Sequence, residues 1–334
     1  MISPMTGKEL VPHRELRTLT FRKEEFTVLF HCLKEPDGDD TYTTTELDDL
    51  NINQAYNQYR DKYNLPFPDE IKAVRDQYGL SAARMSEVLG FGANVWRNYE
   101  TGEVPSASNA RLIQLVQEPK RMRDLVELND QMAEKDKLKI LEVIDAMLAK
   151  PKPLISEVTI QDYLMDGRLP DRTTGYRRPN LARMTEMIVF FTHKKKPFKT
   201  VMNKLLFYAD FLHFKRTCYS ITGSRYRAIQ MGPVPVRFDA LFDHVAIKDE
   251  VDLVQTEFAD GKIGAQFEPH KDRPFREDLF TPEEVKTMEQ VAQRFASCTS
   301  KQLIELSHEE EAWKEKYEAR EVMDYTKAFE LKAI

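Results

Sequence analysis

The sequence predicts an α+β protein that is mainly helical, with a small N-terminal β-hairpin module, a helix-turn-helix domain, and a mainly helical C-terminal domain that contains a small hairpin. Three observations support this prediction. Residues 14–30 alternate between apolar and polar side chains, which is typical of strands. Short apolar segments between residues 69 and 125 are separated by glycine and proline. Most apolar residues after residue 180 recur at helical intervals.

Composition and charge limit the class of protein. The 334 residues are 41% hydrophobic and 31% charged, so we expect two or three folded domains in a cytoplasmic protein. No apolar run is long enough to span a membrane, and the first residues contain no secretion signal. The net charge of −6 excludes a generally basic nucleic-acid binder, so any DNA contact has to be local. Cys32, Cys218 and Cys298 are too far apart in sequence for a disulfide framework.

Changes in pattern divide the chain into four segments. They are an N-terminal module (1–65), a helix-turn-helix domain (66–128), a bridging helix with a linker (129–178) and a C-terminal domain (179–334). Pro151 and Pro153 are expected to end the bridging helix. Residues 166–179 contain two glycines, two prolines and many charges, which favours a flexible connection.

The N-terminal module is predicted to be a β-hairpin followed by a helix. Apolar and polar residues alternate on both sides of a polar break at residues 22–25, where we expect the turn. Residues 43–47, Thr-Thr-Thr-Glu-Leu, are typical of a capped helix start.

Four short helices are predicted between residues 69 and 125. Ser81 can cap the second helix and Gly90 can end it. The third helix covers about residues 93–101, and Ser106 opens the fourth. The second and third helices, joined by a turn that contains glycine, predict a helix-turn-helix.

The third helix contains residue types that recognise DNA. Val95 and Tyr99 share one face and are expected to pack inward, so Asn94, Arg97 and Asn98 project from the other face. Asparagine pairs with adenine, and arginine pairs with guanine or phosphate. The predicted DNA-binding residues are Ser81, Ala93, Asn94, Trp96, Arg97 and Asn98, with Trp96 against the sugar-phosphate backbone. The alternative is a small helical domain with a solvated polar face.

The same segment resembles the repressor-type helix-turn-helix family, including its closing Glu100-Thr101-Gly102 and Pro105-Ser106. More narrowly, residues 92–100 resemble the recognition region of MqsA-type antitoxins, in which an asparagine at the position of Asn94 contacts bases. The second base-contacting residue of that family is arginine, and Asn98 stands at its position here. The resemblance implies operator DNA as a partner, bound by a homodimer.

The N-terminal module is similar to the zinc-binding half of the same antitoxins, but the ligands differ. Two cysteine pairs are expected from the resemblance, and this chain has Ser3, Thr6 and the polar residues 34–38 instead. Structural zinc needs four nitrogen or sulfur ligands, which these residues do not provide.

Cys32, His13 and His31 remain as candidate metal ligands. Histidines and a lone cysteine without ligand spacing are usually structural. We therefore predict no metal and no cofactor. Hydrophobic packing is expected to hold the module, through Leu19, Phe21, Phe26 and Phe30.

The C-terminal domain contains the most distinctive motifs. Residues 203–211 form an apolar segment at helical intervals. Thr222-Gly223 and Gly232-Pro233 predict sharp turns. Residues 253–267 predict a hairpin that turns at Asp260-Gly261.

These motifs also suggest a surface for a protein partner. Lys204, Asp210 and Lys215 are expected to reach solvent. Aromatic residues and arginine often dominate protein interfaces. The predicted partner-binding residues are Lys204, Tyr208, Asp210, Phe211, Lys215, Tyr219, Thr222, Tyr226, Arg227, Gln230 and Pro233. For Tyr208 and Phe211 the alternative is a position in the core.

The sequence contains no recognisable catalytic set. Ser220 has no evident histidine partner, Asp210 has no paired acid, and no glycine loop of the phosphate-binding type is present. We therefore predict that the protein is not an enzyme. His308 stands among acidic residues, where a helix-capping or core-edge position is expected.

Residues from about 180 to 313 resemble the Panacea family, also called SocA-like. The resemblance depends on residues 204–210, the Ser-Ile-Thr-Gly of residues 220–223 and the Gly-Pro-Val-Pro of residues 232–235. It implies a mainly helical domain that neutralises a toxin by direct contact, with the toxin encoded by an adjacent gene. The expected function is an antitoxin that also represses its own operon. The alternatives are a protease adaptor that delivers the toxin for degradation and a stand-alone transcriptional regulator.

Overall fold

The computed structural model describes residues 1–3, 6–36, 38, 40–150, 157–257, 261, 263–271 and 273–334. They form two compact units, unit 1 (Met1–Leu154) and unit 2 (Ile155–Ile334). Short antiparallel sheets accompany many helices, which confirms the predicted α+β, mainly helical class. Asp37, Pro151, Pro153 and Asp260, which take part in the predictions above, lie outside the described residues. None of the described helices is both long and apolar enough to cross a membrane.

Unit 1 begins with an antiparallel sheet ordered β1 (Val11–Phe21), β2 (Glu24–Lys34) and β3 (Thr41–Tyr42). The turn between β1 and β2 consists of Arg22 and Lys23, whose φ angles of 49° and 68° suit a two-residue hairpin turn. The Arg22 guanidinium donates to the carbonyl oxygens of Val104 (2.6 Å) and Pro105 (2.9 Å). The predicted hairpin is therefore confirmed, and these long-range bonds help to hold a conformation that favours glycine.

Helix α1 (Thr45–Tyr63) lies along the edge of β2 that does not pair with β1. Gln54 accepts a hydrogen bond from the N–H of Leu29 (3.0 Å) and donates one to its carbonyl oxygen (2.9 Å). Asn51 does the same with His31, at 2.7 and 2.8 Å. The side-chain amides of α1 thus complete the hydrogen bonding of a strand edge that would otherwise need another strand or water.

Further helices complete unit 1. They are α2 (Pro68–Gln77), α3 (Ala82–Val88), α4 (Val95–Glu100), α5 (Ala107–Leu115), α6 (Pro119–Leu128) and α7 (Glu134–Ala149). The hydroxyls of Thr44, Ser81 and Ser106 cap α1, α3 and α5, as predicted. Gly90, with φ 66°, follows the end of α3. The predicted bridging helix, α7, contributes Ile140 and Ile144 to the same core as α2 to α6.

Arg60 connects α1 to the helices that follow it. It is fully buried and donates to Asn57 Oδ1 (3.0 Å) and to the carbonyl oxygen of Gly102 (2.6 Å). A small apolar cluster packs at residues 65, 104 and 110, with Phe21 and Tyr59 against it. The hairpin and the short helices consequently belong to one compact unit.

Unit 2 is built around one central helix. Its helices are α8 (Glu157–Met165), α9 (Leu181–Lys195), α10 (Lys199–Thr217), α11 (Phe238–Ile247), α12 (Pro282–Arg294), α13 (Ser300–His308) and α14 (Glu311–Tyr317), with 3₁₀ helices at Glu277–Leu279 and Tyr325–Glu330. Its strands form the antiparallel pairs β4 (Tyr226–Ile229) with β5 (Gly232–Pro235) and β6 (Val251–Glu257) with β7 (Ile263–Pro269). The second pair confirms the predicted hairpin. Helix α10 packs against α9, α12, α13, β5 and the C-terminal 3₁₀ helix, and residues 201–214 are all buried.

The glycines and prolines of residues 166–179 predict a flexible connection, but this segment is folded into unit 2. Thr174 and Tyr176 are buried. Ser220 donates from its hydroxyl to the carbonyl oxygen of Thr174 (2.7 Å) and from its N–H to that of Gly175 (2.9 Å). A Cβ on Gly175 would lie 2.6 Å from the Cβ of Ser220, so close packing explains this glycine.

Gln54→Ala is expected to lower the free energy of unfolding of unit 1 by about 1–3 kcal/mol, because the N–H and C=O of Leu29 lose their partners. Urea unfolding of the Trp313→Phe chain can be followed by the fluorescence of Trp96, since the chain has 2 tryptophans and each unit contains one. Gln58→Ala is the matched control, because Gln58 makes a single exposed bond to the carbonyl oxygen of Thr27 (2.9 Å). Gln58→Ala is expected to lower the free energy of unfolding of unit 1 by about 0.5 kcal/mol. Equal losses in the two variants would contradict this role of the amides.

Candidate functional sites

Helix α4 exposes a polar face. Asn94, Arg97 and Asn98 are exposed and lie three and four residues apart, so they share one side of the helix. Ser81 and Ala93 are exposed as well. Among the described residues, the side chains of Asn94, Arg97 and Asn98 have no hydrogen-bond or ion-pair partner. The arrangement therefore presents two amides and a guanidinium to solvent on one short helix.

Trp96 lies in the core, on the side of α4 away from solvent. It is fully buried, and its indole N–H donates to Glu100 Oε1 (2.7 Å) while its backbone N–H donates to Ser86 Oγ (3.1 Å). Glu100 also accepts from Nε of Arg75 at 2.6 Å. The prediction that Trp96 lies against a sugar-phosphate backbone is wrong, because the buried ring belongs to the core cluster that α4 shares with α2 and α3. Ser86 was not predicted, since a serine within a helix has no sequence signal for such a contact.

A hydrogen-bonded cluster lies at the positions where the resemblance predicts zinc ligands. Thr6 Oγ1 donates to Glu35 Oε1 (2.6 Å), and the N–H of Thr6 donates to Ser3 Oγ (3.3 Å). Ser3 Oγ also donates to the hydroxyl of Tyr42 (3.3 Å). Hydrogen bonds from Thr6 and Ser3 lower the pKa of Glu35. These bonds join the N-terminal loop to the end of β2, in addition to the predicted packing of Phe26 with its neighbours.

In the described part of the chain, no three or more His, Cys, Asp or Glu side chains are grouped so that they could hold a metal ion. His13 and Cys32 are opposite each other on β1 and β2. Cys32 is buried, and burial raises the pKa of its thiol.

Most of the predicted partner-binding residues lie in the interior of unit 2. The buried ones are Lys204, Tyr208, Asp210, Phe211, Thr222, Tyr226 and Pro233. The prediction that Lys204 and Asp210 reach solvent is wrong, because α10 is covered on every side and its charged residues have internal partners. In this structure the seven residues serve packing and internal hydrogen bonding.

Asp210 is bonded by the turn that follows α10. Its Oδ1 accepts from the backbone N–H groups of Ile221 (2.7 Å) and Thr222 (2.8 Å). Its Oδ2 accepts from the hydroxyls of Thr222 (2.6 Å) and Tyr226 (2.8 Å). Burial raises the pKa of Asp210, and the hydrogen bonds from Thr222 and Tyr226 act in the opposite direction. Three residues predicted as surface contacts thus meet in one internal network.

Lys204 lies beneath the β4–β5 hairpin. Its Nζ donates to the carbonyl oxygen of Pro233 (3.2 Å), and burial lowers its pKa to about 7. Gly232, with φ 93°, packs directly on this side chain, since a Cβ there would lie 2.6 Å from Lys204 Cε. The glycine is therefore needed both for its backbone conformation and for its contact with the lysine.

The C-terminal segment covers another side of α10. The hydroxyl of Tyr208 donates to Glu310 Oε1 (3.2 Å), and the ring of Phe211 stacks on that of Tyr325 with centroids 4.3 Å apart. Lys215, half-buried, donates from Nζ to the carbonyl oxygens of residues 331 (3.2 Å) and 334 (3.3 Å). These contacts explain why Tyr208 and Phe211 occupy the core, which was the alternative for both.

A second charged group, not predicted from the sequence, lies at the start of α12. Glu284 is buried, and its carboxylate pairs with Arg177 (2.7 Å) and with Arg183. Burial acts to raise the pKa of Glu284, but the two arginines outweigh it and hold the pKa at about 2. His213 lies beside it, and burial lowers its pKa to about 3. Thr281 and Glu284 form a capping box that marks the helix start in the sequence, but the arginines lie about one hundred residues earlier.

The β4–β5 hairpin carries the predicted partner residues that remain exposed. Arg227 on β4 and Gln230, which follows β4, are exposed. Tyr219, which lies before the hairpin, is half-buried. Behind the hairpin, the indole of Trp313 donates to the carbonyl oxygen of Ile229 (2.9 Å) and stacks on His308 with centroids 4.0 Å apart. His308 is half-buried at the end of α13, in agreement with the predicted core-edge position.

Residues 202–314 match a family model described as Antitoxin SocA-like, Panacea domain. This confirms the resemblance to that family for this part of the chain. The matched residues extend from α10 to α14 and include the Asp210 network and the β4–β5 hairpin. No curated protein matches the chain.

Asp210→Ala is expected to lower the free energy of unfolding of unit 2 by about 3 kcal/mol or more, because four donors lose their acceptor. Asp210→Asn should cost less than about 1.5 kcal/mol. Its Oδ1 still accepts from both N–H groups, and the hydroxyl oxygens of Thr222 and Tyr226 can accept from its Nδ2. Urea unfolding followed by Trp313 fluorescence in the Trp96→Phe chain measures both. An Asn variant as unstable as the Ala variant would show that the charge, and not the hydrogen-bond geometry, stabilises the turn.

Proposed function

We propose that this chain is an antitoxin whose unit 2 binds and neutralises a toxic protein and whose unit 1 binds operator DNA of its own operon. The observation that carries the proposal is the match of residues 202–314 to the SocA-like Panacea family of antitoxins. The partner is then a toxin encoded by an adjacent gene. In this proposal neutralisation is by binding and needs no catalysis.

For DNA binding we propose that α3, the turn and α4 act as a helix-turn-helix. Support comes from the exposed Asn94, Arg97 and Asn98, which share one face, and from the buried Trp96, which fixes that face relative to α3. Such helices insert into the major groove, where asparagine can pair with adenine and arginine with guanine. An exposed polar face alone is also compatible with a solvated helix, so DNA affinity is the deciding measurement.

The proposal includes a homodimer, because helix-turn-helix proteins commonly bind palindromes whose half-sites lie one helical turn apart. The binding of toxin and the binding of operator DNA would then be thermodynamically coupled. If toxin binding changes the affinity for the operator by some factor, operator binding changes the affinity for the toxin by the same factor.

Asn94→Ala is expected to weaken binding to the promoter DNA of the chain's own operon by about 5- to 150-fold, the effect of losing 1–3 kcal/mol of base recognition. Binding to a scrambled duplex of equal length should be unchanged, because non-specific affinity depends on phosphate contacts. Fluorescence anisotropy at one fixed salt concentration measures both affinities. Lys139→Ala, a change at an exposed position on α7, is the control and should leave both unchanged. If the variant with Asn94, Arg97 and Asn98 all replaced by alanine binds the promoter normally, α4 does not contact the bases.

For neutralisation, the adjacent open reading frame is expected to arrest growth when induced alone, and this chain should restore growth and co-purify with its product. Both genes are placed under independent inducible promoters, so that operator binding has no influence. The variant with Asn94, Arg97 and Asn98 replaced by alanine is the matched control and should still neutralise, because those residues belong to unit 1. Growth arrest that this chain leaves unchanged would contradict the proposal. A shortened half-life of the toxin at constant synthesis would favour the protease-adaptor alternative.

A further inference from the structure

A cleft of about 380 Å³ lies in unit 2 between the β4–β5 hairpin and the first turn of α11. This volume is in the range of protein pockets that accept ligands. Its walls are apolar and are formed by Ile229, Val234, Pro235, Val236 and Phe238. Its charged lining consists of Arg227, Arg237, Asp166 and Asp239.

Three of these four charged residues are engaged within unit 2. Asp166 pairs with Arg225. Arg237 donates to the carbonyl oxygen of Tyr163. Its guanidinium carbon lies 4.4 Å from the centroid of the Tyr163 ring. Asp239 lies 3.8 Å from Nζ of Lys199. The positions of Asp166 and Arg237 are therefore set by internal contacts, whereas Asp239 is 69% exposed and pairs only at the surface.

Arg227 differs from the other three. It is exposed, and within the described ranges its guanidinium has neither an ion pair nor a hydrogen bond. Its backbone pairs with Val234 on one side and forms an isolated bridge with Val322 on the other. The side chain therefore projects beside the cleft from a strand that is held on both edges, and rigid elements position binding groups more accurately than loops do.

We propose that this cleft is the docking site for a mainly apolar segment of the toxin, which places an apolar side chain in the cleft and a neighbouring carboxylate on Arg227. The inference rests on the proposed function and adds the surface and the chemistry of the partner. A guanidinium binds a carboxylate through two parallel hydrogen bonds. An arginine beside an apolar pocket is also the kind of anchor that dominates binding energy in protein interfaces.

The charges around the cleft favour a protein partner over nucleic acid. Binding to a phosphate backbone requires several cations along the surface. Here the rim includes the carboxylates of Asp166 and Asp239, and Arg227 is the cation that is not engaged internally. One carboxylate on a mainly apolar segment matches this arrangement, whereas a row of phosphates does not.

The first experiment measures the affinity of the full chain for the product of the adjacent gene. Arg227→Glu is expected to raise Kd at least tenfold. Arg227→Lys should give an intermediate Kd, because lysine keeps the positive charge but cannot form the two parallel hydrogen bonds of a guanidinium. Val236→Trp, which fills the cleft and leaves Arg227 in place, should also weaken binding. Lys286→Glu is the matched control, since Lys286 is 72% exposed on α12 and the change in charge is the same.

A second experiment identifies the docked segment. A photo-crosslinking p-benzoylphenylalanine at position 239, an exposed position on the rim of the cleft, is expected to capture a toxin peptide that contains Asp or Glu next to an apolar residue. Replacing that acidic residue by lysine should restore binding to the Arg227→Glu chain. Circular dichroism spectra identical to wild type ensure that the variants are folded.

The outcomes separate the cleft from the proposed function. A wild-type chain that does not bind the adjacent-gene product overturns the antitoxin function and the cleft with it. Wild-type binding that Arg227→Glu and Val236→Trp both preserve overturns the cleft alone. A crosslinked peptide without an acidic residue also overturns the cleft as the docking site. So does an Arg227→Glu chain that binds the toxin normally but has lost affinity for a DNA duplex.

Discussion

The buried carboxylate of Asp210 imposes the main constraint on unit 2. A carboxyl group in the interior is stable only if its oxygens have hydrogen-bond partners, and here the donors come from the Ile221-Thr222 turn and from Tyr226 on β4. Bonding Asp210 therefore brings the turn and the start of the β4–β5 hairpin against α10. Because side chains alternate along a strand, the burial of Tyr226 turns Arg227 outward. The exposed arginine is a consequence of the internal network.

Much of the fold could be predicted from local signals, because caps and turns depend on residues close in sequence. Ser81, Ser106 and Gly90 mark helix ends correctly, and the spacing of Asn94, Arg97 and Asn98 identifies the exposed face of α4. Helix α10 shows the limit of such reasoning. The charges of Lys204 and Asp210 suggest a solvated face, but their partners are contributed by segments 11 to 29 residues away, and the periodicity of a single helix contains no information about them.

The N-terminal module illustrates a different limit. The sequence shows which ligands are absent, and it cannot show what replaces them. In the structure Thr6 bonds with both Glu35 and Ser3, so the region where the resemblance predicts zinc is linked by ordinary hydrogen bonds. Such bonds need no deprotonated thiols, so their strength depends less on metal supply and redox conditions than coordination by cysteine does.

The amides of α1 along β2 affect how unit 1 can associate with other chains. An open strand edge recruits further strands, which is the common route to domain swapping and fibrous aggregation. Asn51 and Gln54 already bond the backbone of His31 and Leu29 at that edge. Sheet extension along this side of the hairpin would require those bonds to break. Any strand that adds to this sheet along the hairpin therefore has to pair with β1, which forms the other edge of the sheet.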